Sequence, residues 1–120
     1  MDKMQALNAF WSQFGWPIYD ETSVPDTATL PYITYESSSD NFDHPIAQTV
    51  SLWDRSTSWQ NVTAMEKDIE SMITRGGKII TYDGGAIWIK RGTPFAQRMA
   101  DESSDTIRRI VLNIETEFID

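Results

Sequence analysis

A chain of 120 residues is long enough for one domain with a single core, burying roughly two-thirds of its unfolded surface, and its 40% hydrophobic and 12% aromatic content separates it from disordered sequences. It contains no cysteine, which excludes disulfides, thiolate metal sites and a cysteine nucleophile. A formal charge of −8 argues against a protein that grips phosphate backbones, because that affinity comes from clustered Lys and Arg releasing counterions.

No apolar run of signal-peptide type follows Met1-Asp2-Lys3, and nowhere do ~18 apolar residues follow one another, so a cytosolic product without membrane contact is expected. Across residues 2–14, Met4, Leu7, Phe10, Trp11 and Phe14 recur every three to four positions, with Asp2 as N-cap, Gly15 after the end and Pro17 beyond. This spacing predicts an amphipathic helix. Residues 18–31 are interrupted by Pro25 and Pro31 and by Thr, Ser and Asp, and read as a connecting loop with an extended piece at residues 16–19. Tyr32-Ile33-Thr34-Tyr35 is β-branched and aromatic throughout and predicts a strand. A second strand fits residues 46–54, where Ile46, Val50 and Leu52 share a face; the polar residues 36–45 between the two are expected to form a mobile hairpin tip.

Ser56-Thr57-Ser58 opens a second predicted helix, with capping-box spacing between Thr57 and Gln60 and an apolar stripe of Val62, Met65, Ile69, Met72 and Ile73. Gly76-Gly77 is expected to end it as a left-handed C-cap. Asp83-Gly84 then supplies the backbone freedom of a tight hairpin turn. A two-residue turn there sets Ile80 against Ile87 and Ile79 against Trp88, with Ile80, Ile87 and Ile89 toward the core. Residues 91–105 read as a connection longer than the usual four to six or so, in the range where loops are functional or disordered. The closing strand, residues 106–119, puts Ile110, Leu112, Ile114 and Phe118 on one side and Arg109, Asn113, Glu115 and Glu117 on the other. It is expected to be the longest strand and central.

Consecutive strands joined by short turns pair antiparallel. The fold expected over residues 1–120 is therefore a single α/β domain of α+β type, with a mainly antiparallel sheet of four to five strands and two helices packed on one face.

Chemistry is sparse. The only histidine, His44, stands beside Asp43 and near Asp40, and a metal there would need all three to converge from a loop. Asp101, Glu102 and Asp105 form another acidic group but lack the spacing of a calcium loop, and both clusters read better as solvated turns. Gly76-Gly77-Lys78 lacks the upstream Gly and the following Ser or Thr of a phosphate-binding loop. No serine sits in a nucleophile elbow. No catalytic, cofactor-binding or metal residue is assigned, and no enzyme activity is expected. Trp11, Trp59 and Trp88 read as packing residues. Trp53 falls opposite the apolar face of its strand, so either a second layer covers it or it meets another subunit. Phe95 and Met99, interleaved with Arg91 and Arg98, combine apolar anchors with Arg forks, the composition of interface hot spots; the alternative is a loop folded over its own sheet.

Leu30-Pro31-Tyr32-Ile33-Thr34-Tyr35 after an N-terminal helix, Val50-Ser51-Leu52-Trp53-Asp54-Arg55-Ser56 leading into a second helix, and the closing hairpin plus strand resemble the tail-terminator, or tail-completion, proteins of long-tailed bacteriophages and prophages. The likeness in order of elements extends over nearly the whole chain. It implies a virion structural protein, made in the host cytoplasm, that forms a homo-oligomeric ring, usually a hexamer, on the head-proximal end of the tail tube. There it contacts the tail tube protein and the head–tail connector, and DNA passes through without specific binding. An acidic lumen suits that passage, and Glu115 and Glu117 are its candidate lining. Head-completion, neck and minor capsid proteins share the size and layout. A rival of another class is an acidic inhibitor that mimics DNA, although Arg91, Arg98, Arg108 and Arg109 interrupt the acidic C-terminal third.

Overall fold

The computed structural model of the chain describes residues 1–36, 46–99 and 106–119. His44 with Asp40 and Asp43, the acidic group Asp101, Glu102 and Asp105, and the expected hairpin tip lie outside these residues, apart from Glu36. Eight elements follow in chain order: α1 (Lys3–Ser12), β1 (Ile18–Asp20), β2 (Tyr32–Tyr35), β3 (Ile46–Arg55), α2 (Gln60–Met72), β4 (Lys78–Tyr82), β5 (Gly85–Met99) and β6 (Ile107–Ile119). The strands form one sheet in the order β1-β2-β3-β6-β5-β4. All neighbours are antiparallel except β1, which runs parallel to β2 with Ile18 beside Ile33. The mainly antiparallel sheet carrying two helices is thus as expected, with six strands in place of four or five.

Helix α1 begins as its sequence dictates. The Asp2 carboxylate accepts from the Gln5 amide at 2.8 Å while Gln5 Oε1 accepts from the Asp2 amide at 2.9 Å, a reciprocal capping box. Its buried stripe of Ala6, Leu7, Phe10 and Trp11 includes an edge-to-face pair, Phe10 and Trp11, at 4.9 Å. Helix α2 departs from expectation at both ends. Trp59 is its N-cap without a side-chain cap bond, and the Gln60 amide donates to Ser58 Oγ at 3.1 Å, so Thr57 and Gln60 do not form the expected box. The helix stops at Met72 because Ile73 leaves helical dihedrals; Gly76 and Gly77 belong to the following turn, where the Gly77 amide donates to the Thr74 carbonyl.

The register of the β4–β5 hairpin is as derived from the turn: Ile79 opposes Trp88 and Ile80 opposes Ile87. Only Gly84 takes a positive φ, +96°, and Asp83 does not. Ile87 and Ile89 are fully buried, with Ile80 packed at the edge of the core. Strand β6 lies inside the sheet between β3 and β5, its Ile110, Leu112, Ile114 and Phe118 buried beneath the helices with Ile33, Val50 and Leu52. Within this layer Thr116 Oγ1 donates to Gln48 Oε1 at 3.1 Å, satisfying two buried polar side chains.

The main correction concerns residues 91–105. Residues 91–99 are not loop but the second half of β5, which at 15 residues is longer than the 13 of β6. Pairing with β6 runs from Ala86 to Arg91, breaks, and resumes at Ala96 opposite Leu112. The break holds Gly92-Thr93-Pro94-Phe95 opposite Asn113. Proline has no amide to donate to a ladder, so a bulge accommodates it, and the strand continues on the far side. Asn113 Nδ2 bridges the irregularity, donating to the Pro94 carbonyl at 2.7 Å.

Candidate functional site

Strand alternation divides the sheet into two unlike faces. One carries both helices. On the other, among the described residues, no helix or strand forms a second layer, and its side chains come from the odd positions of β3, β4 and β6, from Ala86, Trp88 and Lys90 before the bulge of β5 and Gln97 and Met99 after it, and from Tyr19, Tyr32 and Thr34.

A row of residues crosses this open face. Tyr32 opposes Trp53, Trp53 opposes Arg109, and Arg109 opposes Met99, so β2, β3, β6 and β5 each contribute one member. Tyr19 of β1 extends it, its ring edge-to-face on Tyr32 at 5.5 Å, and the Tyr32 and Trp53 rings stand 6.4 Å apart. The Arg109 guanidinium lies 4.5 Å from the Trp53 ring centroid, while its Nε and Nη2 donate to Ser51 Oγ at 3.2 and 3.0 Å. Trp53 Nε1 donates to Thr34 Oγ1 at 3.0 Å. The polar ends of Trp53 and Arg109 are therefore held, and Tyr19, Tyr32 and Trp53 stay partly exposed. This is a preorganised surface, with little side-chain freedom left to lose on contact.

Of the large hydrophobic side chains that are exposed among the described residues, Ile79, Met99 and Ile119 all lie on this face, Ile79 at 58%; the fourth is Met1. Ile79 and Ile119 sit near Trp88 at the β4–β5 end. There the Lys90 ammonium lies 4.3 Å from the Trp88 ring centroid and 3.6 Å from the Glu117 carboxylate. Glu115 opposes Lys90 across the ladder.

The five residues expected at an interface separate into two groups. Trp53 and Met99 share the open row. Arg91 and Arg98 are on the other face, holding the two ends of α2. Arg91 donates from Nε to the Ile73 carbonyl at 2.6 Å and from Nη2 to the Glu70 carbonyl at 2.8 Å. Arg98 lies 4.8 Å from the Trp59 ring centroid and reaches Thr63 Oγ1 at 3.5 Å. Phe95, half buried, packs against the core with the Arg91 guanidinium 5.4 Å from its ring centroid. These three therefore make contacts within the fold, as a segment lying over its own sheet would.

Tyr19, Tyr32 and Arg109 were not singled out from the sequence. Alternation in the last strand did place Arg109 opposite the apolar side. What joins it to Trp53 is the β3–β6 register, which no local pattern carries.

Among the described residues no group of three or more His, Asp or Glu side chains is placed to hold a metal ion, and no helix is long and apolar enough to cross a membrane. Comparison with protein-family models, with curated proteins and with solved structures finds no match.

Proposed function

We propose that the chain is a structural protein of a long-tailed phage virion, forming a ring, of six copies by the family pattern, at the head-proximal end of the tail tube. In that position it ends tube polymerisation and joins the tail to the head connector. The observation that carries the reading is the open sheet face, with its row of Tyr19, Tyr32, Trp53, Arg109 and Met99 and its outlying Ile79 and Ile119. Aromatic residues, Met and Arg are the types enriched at the centres of protein interfaces, and contiguous exposed apolar surface on a small domain marks a contact site. The sequence resemblance supplies the kind of assembly, and the open face supplies a surface for it.

Glu115 and Glu117 are on the same face but six to eight residues along β6 from Arg109, about 20–27 Å at ~3.4 Å per residue. A neighbour seated on the aromatic row therefore leaves them outside its centre, and we assign them to the border facing the channel. Lys90 partly offsets Glu117 there. The overall −8 adds to a potential that lets DNA slide past without binding.

Deleting the gene from its phage and imaging the lysate tests the assignment. Tails of uncontrolled length, unjoined to heads, are expected. Normal virions would refute it, and leaking heads with tails of normal length would move the protein to the neck.

A further inference from the structure

The two edges of the sheet, β1 and β4, are built differently. Strand β1 has three residues, and the chain turns away at Asp20, whose carboxylate accepts from the Thr22 amide at 3.0 Å and whose carbonyl accepts from the Ser23 amide at 2.9 Å. A short strand ending in a turn is a blunted edge. Strand β4 carries no such device. It pairs with β5 without a bulge, contains no proline, and has its one charge, Lys78, at its first position. Ile79 and Thr81 are both exposed on the open face.

The hairpin register fixes which backbone groups of β4 face outward. Tyr82 and Gly85 close the two-residue turn, so Lys78, Ile80 and Tyr82 direct their amides and carbonyls to β5, and Ile79 and Thr81 direct theirs away from the sheet. At both ends of this edge the outward amides are taken: that of Gly77 donates to the Thr74 carbonyl and that of Asp83 to the Met1 carbonyl, each at 2.8 Å. Between them, the amides and carbonyls of Ile79 and Thr81 have no hydrogen-bond partner among the described residues.

We infer that β4 pairs with β4 of a second copy of this chain, antiparallel, about a two-fold axis at Ile80. In that register Ile79 of each copy opposes Thr81 of the other, and the hydrogen bonds between them engage every free group of both edges. Moving the axis to Ile79 or to Thr81 instead brings Gly77 or Asp83, whose amides are already bound, into the ladder. The two Ile80 side chains meet as a directly opposed, close pair on the helix-bearing side, beside a groove of about 310 Å³ between α1 and β4 walled by Ala6, Ala9, Phe10 and Gln13. The two Lys78 residues fall at opposite ends of the pair, about 14 Å apart along the strands, so the like charges stay separate. Pairing of two five-residue strands belongs to the weak class of interfaces, under about 1,200 Å². A two-fold contact does not close a ring, so it belongs to the free protein and stands apart from the proposed virion role.

Sedimentation of the purified protein from about 10 µM to about 1 mM, with amide exchange of the ¹⁵N-labelled chain, tests this. A monomer–dimer equilibrium is expected in that range. The Ile79 and Thr81 amides should gain protection as concentration rises, while that of Ile80, directed to β5, is protected throughout. Thr81→Pro removes an outward amide that the β4–β5 ladder does not use, and should be folded and monomeric. Ile79→Lys sets two ammonium groups on diagonal positions across the axis and should weaken the dimer about tenfold or more. Because the chain has no cysteine, Ile80→Cys should cross-link to a dimer on mild oxidation, and Ile79→Cys should not. The inference is overturned if the parent stays monomeric at about 1 mM, for then the edge is left to a strand of another protein. It is equally overturned if Ile79→Lys, or a folded Thr81→Pro, dimerises as tightly as the parent, or if Ile79→Cys cross-links faster than Ile80→Cys.

Discussion

Replacing Arg91 with alanine removes the side chain that closes the C-terminal end of α2, and the loss can be worked from its contacts. The Nε bond to the Ile73 carbonyl, 2.6 Å and partly buried, contributes about 1.5 kcal/mol, at the low end for a charged donor. The exposed Nη2 bond to the Glu70 carbonyl at 2.8 Å adds about 0.5–1 kcal/mol. A cation at the negative end of the helix dipole adds ~0.5 kcal/mol. The Glu70 carboxylate, 3.8 Å from Nη1 and largely exposed, adds nothing measurable. The sum is about 2.5–3 kcal/mol, a fall in Tm of roughly 10 °C for a domain of this size. Arg91→Lys should recover less than half, because an ammonium cannot fork between two carbonyls. Thermal and urea unfolding followed by circular dichroism measure both. A loss below about 0.5 kcal/mol for Arg91→Ala would place the residue among ordinary surface positions and refute the reasoning. Full recovery by Lys would show that charge alone matters.

Gly77 has φ +83°, and a Cβ there would sit 2.6 Å from Trp88 Nε1 and 2.7 Å from the Ile89 carbonyl. Gly77→Ala should therefore cost about 2–4 kcal/mol through backbone strain and displacement of Trp88, whose Nε1 donates to the Gly76 carbonyl at 3.0 Å, and the urea midpoint reads it. The double variant Phe95→Ala, Arg98→Ala, which a free interface loop would tolerate, should instead lose about 2–3 kcal/mol in thermal melts, since Phe95 packs on the core and Arg98 on Trp59. Met99→Glu, at a position 41% exposed, should unfold within about 0.5 kcal/mol of the parent yet fail to enter virions when supplied to a phage lacking the gene.

Elements with strong local patterns were legible in the sequence. Asp2 and the apolar spacing from Met4 to Phe14 announced α1, Tyr32 to Tyr35 announced β2, and Asp83-Gly84 fixed the hairpin pairing down to single residues. Strand β1 was legible only as an extended piece at residues 16–19, because three residues are too few for a period, and its parallel pairing depends on a partner beyond an intervening segment. The second half of β5 was hidden twice. Gly92 and Pro94 look like chain breakers, and its helix-facing positions hold Ala96 and Arg98, so no apolar alternation marks it. The arginines are there because they clasp α2, which periodicity cannot encode. Trp53 stood out through alternation alone, but its grouping with Tyr32, Arg109 and Met99 needs three strand registers, one of them read across the bulge.

The claim that the open face is covered in the assembled particle is tested most directly by hydroxyl-radical footprinting of Trp53, Met99 and Trp59 in the free protein and in purified virions. Oxidation of Trp53 and Met99 should fall several-fold on assembly, while Trp59, on the opposite side, changes little. Equal labelling of Trp53 and Met99 in the two states would contradict the account.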